Sequence, residues 1–296
     1  MDAQLNQLLH ASIATAIVAI TAVAILAAAG VFGPRGLSQA PYRGCPLAPV
    51  DLLVALGIYL TGIIVFQGIA LAVFGDAVRD STLGSRQIAW MSLLSVMLSH
   101  LPVALWTVWR AGLNRRAQRT LGLLPRAHPL AEIGLGALAL LAVAPLVHLA
   151  MLVGQMIAIG LFDVHPDPLA HETLVQMRRT PDTVSIAIIL LVVLLAAPVL
   201  EEIVFRGLMH NVLAQLLGER HRWMIIVIAS IIFTLVHAGI VGTYGLGGLF
   251  VLSITLGWLY ERTGSLWPPI VLHLLFNAVN TLIAFAIEYP LPDAGG

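Results

Sequence analysis

Eight stretches of this chain are apolar over close to the length a helix needs to cross a bilayer. They fall near 11–33, 50–74, 88–109, 131–161, 184–200, 223–241, 245–261 and 267–287. About 20 apolar residues span the hydrocarbon layer as a helix. Within that layer an open sheet edge has no partner for its backbone, so helices are the expected element. The predicted fold is therefore all-α: a polytopic bundle of about eight transmembrane helices, integral to the cell membrane. Charge supports this, since only 10% of the 296 residues are charged, against about 25% in soluble domains.

The same numbers exclude several functions. Net charge is zero and the basic residues form no block suited to nucleic acid. A single cysteine, Cys45, rules out a disulfide framework. It has no nearby histidine in sequence to make it a nucleophile. The N-terminal MDAQLNQLLH has no basic residue before the first apolar run, so that run is expected to be a retained helix rather than a cleaved signal. Three regions are expected: helices and an arginine-rich loop over 1–130, a helical core over 131–287, and a short tail over 288–296. The fourth segment carries Pro145 and is expected to be tilted or broken there. The fifth is expected to run past Leu200 toward Gly218.

Arginine sets the expected orientation. Arg35, Arg43, Arg110, Arg115, Arg116, Arg119, Arg126, Arg220, Arg222 and Arg262 follow segments 1, 3, 5 and 7. The opposite loops hold Arg79, Arg86, Arg178 and Arg179. This bias places both termini outside and the arginine-rich loops in the cytoplasm. No internal repeat suggests a transporter of inverted halves.

A charge at the bilayer centre costs roughly 2.5–3.5 kcal/mol on insertion scales and marks a functional candidate. In segments 1 to 4 such residues are few: Asp51 near an end, His100 and His148. In the last third they gather in three patterns. The first is Pro198-Val-Leu-Glu201-Glu202-Ile-Val-Phe-Arg206-Gly207. Pro198 lacks a backbone donor and is expected to bend its helix. Glu202 and Arg206, four apart, share a face and are expected to pair. Glu201 lies about 100° away without a local partner, which suits a general base. The second pattern is Phe233-Thr-Leu-Val-His237, and the third is His273-Leu-Leu-Phe-Asn277-Ala-Val-Asn280. In the third, spacings of four and three make one polar stripe.

Helical rise puts His237 roughly 20 Å and Glu201 roughly 25 Å into the membrane from the same side. The side chains are therefore expected to meet. Together the patterns supply a base, a water-holding histidine and hydrogen-bond donors for an oxyanion, the minimum for attacking a carbonyl with water. No His-Glu-x-x-His helix, Gly-x-Ser-x-Gly elbow or Gly-x-Gly-Asp motif is present. A proton-coupled transporter using Glu201 and His237, and a non-catalytic scaffold, are the competing readings. His148 and Gln155 are expected to bond between helices. His165-Pro-Asp-Pro-Leu-Ala-His171-Glu172 is expected to be a solvated loop. Gly245, Gly247 and Gly248 are expected to permit close helix packing.

These three patterns, in this order, resemble the CAAX prenyl protease and bacteriocin-processing (CPBP, or ABI) family of intramembrane endopeptidases. That family carries Glu-Glu-x-x-x-Arg, then Phe-x-x-x-His, then His-x-x-x-Asn on successive helices. Gly264-Ser-Leu-Trp-Pro-Pro-Ile-Val-Leu, leading to His273, is similar as well. The resemblance is specific over roughly 185–287 and looser over 131–184. Segments 1 to 3 add nothing to it. It implies a peptidase whose cavity opens toward cytoplasm and lipid, acting on a membrane-associated or lipidated, CAAX-like peptide. Glu201 and His237 would activate water, Glu202 and Arg206 would set the helix geometry, and His273 and Asn277 would hold the oxyanion. Members are often described as metalloproteases. No cofactor is expected to be required here. The alternative is zinc, held by Glu201, His237 and His273.

Overall fold

In a computed structural model of the chain, the described residues are 3–28, 30, 36–37, 44, 46–79, 83–162, 182–239 and 241–286. Cys45, the 165–172 loop, Arg35, Arg43, Arg178, Arg179 and the 288–296 tail lie outside them. The elements are helical in order: α1 (Ala3–Ala28), α2 (Pro49–Arg79), α3 (Ser85–Ala111), α4 (Arg115–Leu121), α5 (Pro129–Phe162), α6 (Thr183–Leu217), α7 (Arg222–Val236), α8 (Leu246–Thr263) and α9 (Trp267–Ala286). Short 3₁₀ turns at Glu219–His221 and Thr243–Gly245 precede α7 and α8. Seven helices are long and apolar enough to cross a membrane, and α7 is the shorter, eighth apolar helix. The chain is an all-α polytopic membrane protein.

α6 lies at the centre, packed against α2, α3, α7 and α9. α5 backs the other side, against α1, α8 and α9. Outward faces are apolar: Ile20, Leu53, Ile64, Leu141 and Leu161 are all strongly exposed, as hydrocarbon solvent permits. Inward faces close on glycine. A Cβ added at Gly248 would fall 2.7 Å from Met151 of α5, so this glycine does allow the expected close approach. At Gly62 an added Cβ would sit 2.1 Å from the Leu98 carbonyl oxygen, which brings the backbones of α2 and α3 together.

Several expectations are corrected. Pro145 does not break α5, which runs as one helix of 34 residues. A missing N–H is tolerated in a membrane helix where neighbours re-satisfy the freed carbonyl. The 110–130 linker contains α4, started by the Asn114 side chain accepting from Ala117 N at 2.9 Å. It ends at Gly122, whose φ of 87° is left-handed and readily adopted by glycine. His148 is exposed on α5 and makes no interhelical hydrogen bond among the described residues, because it faces away from the bundle.

The largest correction is α7. The apolar run 223–241 reads as a full span, yet the helix stops at Val236. In an α-helix the Phe233 carbonyl would accept from the backbone N–H of His237. Here the His237 ring takes that place: Nδ1 donates to Phe233 O at 2.7 Å, and the backbone N–H moves to Thr234 O at 3.2 Å. The ring caps its own helix.

The α6 N-terminus is tied to α3. Asp182 accepts from Ser185 N and Oγ at 3.1 and 2.6 Å, and from Arg86 Nε at 3.0 Å. The Arg86 guanidinium and the Ser185 donors hold the Asp182 carboxyl well below the usual carboxylate range. This contribution is present above the unfolded carboxylate pKa and is lost as pH falls through the depressed one.

Gly62→Ala should destabilise the protein by about 1–3 kcal/mol through overpacking, whereas Gly68→Ala, whose added Cβ meets nothing within 4 Å, should not. Thermal unfolding of the two variants in detergent checks this.

Candidate active site

The site is built on a departure from α geometry in α6. Residues Val192–Ala196 and Ile203–Met209 are π-helical and flank Ala197–Glu202. Ala197 N bonds back to Val192 O, and His210 N to Phe205 O, each five residues away. π turns of this kind concentrate at functional positions. The bend expected at Pro198 takes this form. An α turn would press the proline ring on the Leu194 carbonyl, and widening the turn relieves that clash.

The wider register also leaves one carbonyl without its donor. Five residues after Val193 comes Pro198, which has no N–H. Asn277 of α9 supplies the missing donor: its Nδ2 donates to Val193 O at 2.9 Å. One Asn277 amide hydrogen therefore holds α9 to α6 about two turns before the glutamates.

Glu202 and Arg206 pair as expected, Nη1 to Oε1 at 3.0 Å, both essentially fully buried. Arg206 Nη2 also donates to the Ser253 carbonyl at 3.1 Å and to Ser253 Oγ at 2.8 Å. The guanidinium carbon sits 4.9 Å from the centre of the Phe233 ring, a distance at which the ring face attracts a cation. The same Glu202 oxygen accepts from His273 Nδ1 at 2.9 Å. One carboxylate thus joins α6 to α9 directly and to α8 through arginine. Ser253 was not singled out from sequence, because a lone serine in an apolar helix carries no signal of its own.

Glu201 is buried but turned to a different set of neighbours. Its Oε2 lies 3.7 Å from His237 Nε2 and 4.0 Å from His273 Nε2. Both rings are oriented by their other nitrogen. The Phe233 carbonyl can only accept, so His237 Nδ1 carries a hydrogen. Glu202, already paired with Arg206, likewise accepts from His273 Nδ1. The Phe233 ring lies against His237, with centroids 4.5 Å apart, and edge-on to His273 at 6.1 Å. Glu201, Glu202, Arg206, His237 and His273 therefore converge, whereas Asn277, one turn after His273 on α9, is held to the Val193 carbonyl. Asn280 instead bonds the Phe276 carbonyl of its own helix.

Zinc with bonds of about 2.0–2.1 Å in tetrahedral geometry would draw its ligand atoms to about 3.4 Å from one another. The Glu201–histidine separations are wider. Among the described residues no group of three or more His, Cys, Asp or Glu side chains is placed to hold a metal ion.

A polar cluster of this kind inside a helical membrane bundle defines a membrane protein with a buried chemical site. Residues 183–279 match the Rce1-like family, described as Type II CAAX prenyl endopeptidase Rce1-like. That segment, about a third of the chain, holds every residue of the cluster and is similar to the CAAX prenyl endopeptidase family. No curated protein and no solved structure matches it.

Replacing Asn277 with Leu should strand the Val193 carbonyl and cost about 1–3 kcal/mol. Adding Pro198→Ala, which restores a backbone N–H, should recover part of that loss. A double-mutant cycle on thermal unfolding reads the coupling.

Proposed function

We propose that this protein is an endopeptidase that hydrolyses a peptide bond with water activated jointly by Glu201 and His237. The observation that carries the reading is the Glu201 carboxylate oxygen lying 3.7 and 4.0 Å from two histidine Nε2 atoms. Polar groups just beyond hydrogen-bond length are commonly bridged by one water. Neutral His237 holds its hydrogen on Nδ1, so Nε2 is an acceptor. A water between Nε2 and Glu201 then donates both its hydrogens and keeps its oxygen lone pairs for attack. As the oxygen adds to the carbonyl carbon, Glu201 takes a proton.

The oxyanion falls to His273 and Asn277. With its Nδ1 hydrogen committed to the Glu202 carboxylate, His273 donates from Nε2 only when both ring nitrogens carry a hydrogen. The second amide hydrogen of Asn277 is the other donor. Preorganised donors of this type are typically worth 10²–10³-fold each. Glu202, Arg206 and Ser253 orient these groups and touch no substrate.

The substrate proposed is the end of a membrane-associated or lipidated peptide, such as a CAAX-like tail. A site buried between membrane helices favours a chain already held at the bilayer. α7 is 15 residues long, about 22 Å, so its capping ring lies inside the membrane. The arginine bias supports a cavity facing the cytoplasm. No cofactor is part of this reading.

Glu201→Gln should lower cleavage by at least about 10²–10⁴-fold while expression and thermal unfolding stay native-like. Comparing peptide products in membranes containing either form tests it, and unchanged products would reject the base. EDTA or 1,10-phenanthroline should leave cleavage unchanged. Loss restored by added zinc would instead support Glu201, His237 and His273 as ligands.

A further inference from the structure

The matched segment 183–279 excludes α2 and α3, yet α3 packs on the Ala197–Glu202 turn of α6 that carries the glutamates, and α2 packs on α3. Val96, Met97, Leu101 and Ala104 of α3 pack with Val199, Leu200 and Ile203 of α6. His100 lies four residues after Val96 and four before Ala104, on that same face. Glu201 follows Leu200 directly. Glu201 and His237 are charged groups near enough to influence His100 electrostatically, in keeping with that packing. Tyr59 of α2 meets the His100 ring edge-on, with centroids 5.3 Å apart and planes at 87°. The close backbone approach at Gly62 holds these two helices in that register.

The His100 tautomer follows from its neighbours. Ser99 Oγ donates to Ser95 O at 2.6 Å, so its only hydrogen is committed. His100 Nδ1, 2.8 Å from Ser99 Oγ, must then be the donor of that bond. In the neutral ring Nε2 is left as a proton acceptor.

Hydrolysis by a glutamate base leaves one step without an owner: the departing amine needs a proton. We propose that His100 is a further catalytic residue, carrying the proton from Glu201 to the leaving amide nitrogen. This rests on Glu201 being the base. Water oxygen bonds to the carbonyl carbon, the carbonyl π pair moves to oxygen, and a water proton passes to Glu201. Through one bridging water, His100 Nε2 takes that proton and delivers it to the amide nitrogen. The C–N bond breaks with its pair going to nitrogen, and the oxyanion pair re-forms the carbonyl. Water and amide become carboxylic acid and amine, with Glu201 and His100 restored.

The test compares a farnesylated CAAX-tailed peptide with the same peptide carrying an ester at the scissile position. An alkoxide leaves without the full proton transfer that an amine demands. His100→Gln should lose about 10²–10⁴-fold in kcat on the amide and much less on the ester. Ser99→Ala, which frees Nδ1, should show a smaller loss with the same preference for the ester. Equal losses on both substrates, or none, would overturn the proposal while Glu201→Gln remains inactive on both. If Glu201→Gln stays active, the base reading fails and this proposal with it. Without any substrate, the His100 ring nitrogens in ¹⁵N-histidine-labelled protein should shift in Glu201→Gln, and unmoved resonances would equally overturn it.

Discussion

The structure depends on one ion pair placed where ions are least tolerated. Glu202 and Arg206 are 0% and 1% exposed, within helices that face hydrocarbon. A buried pair is costly unless other groups meet its remaining valences, and most, though not Glu202 Oε2 or Arg206 Nε, are met. Here Ser253 takes two arginine donors from α8, Phe233 of α7 lies under the guanidinium, and His273 of α9 donates to the shared carboxylate oxygen. Meeting those valences draws three other helices onto α6. The pair therefore assembles the bundle around the position next in sequence, Glu201, the proposed base.

Local irregularities then orient the His237 ring and the Asn277 amide. α7 ends where a histidine ring replaces its own backbone N–H on the Phe233 carbonyl, and the same bond fixes which nitrogen faces Glu201. The π turn around Pro198 moves an orphan carbonyl to Val193, and Asn277 answers it from α9. Each departure from ideal helix thus serves a contact between helices. A second layer binds the far end of α6: Asn211 donates to Tyr260 Oη at 2.7 Å, and Tyr260 donates to the Leu121 carbonyl at 3.1 Å.

Much of this was legible in the residues themselves. Apolar length gave the helices, and i,i+4 spacing gave the Glu202–Arg206 pair. The cost of polar groups in lipid pointed to Glu201, His237, His273 and Asn277. What was hidden depends on partners distant in sequence. Apolar composition continues through 241, so nothing in it ends α7 at Val236; the ring bond to Phe233 does. Pro198 announces a lost donor, but only the π register shows that Val193 is the carbonyl affected. Ser253 looks ordinary until packing sets it beside Arg206, and His100 stands out in sequence but is tied to α6 only by the packing of α3 on it. Orientation rests on loops whose arginines are partly outside the described residues.

The central claim is that Glu201 stands between two histidine rings inside the membrane. Solid-state NMR in lipid bilayers, with ¹³C-labelled glutamate and ¹⁵N-labelled histidine, measures it directly. Dipolar couplings from the Glu201 carboxyl carbon to Nε2 of both His237 and His273 should match oxygen–nitrogen separations of 3.7 and 4.0 Å. Coupling to neither ring would contradict the account.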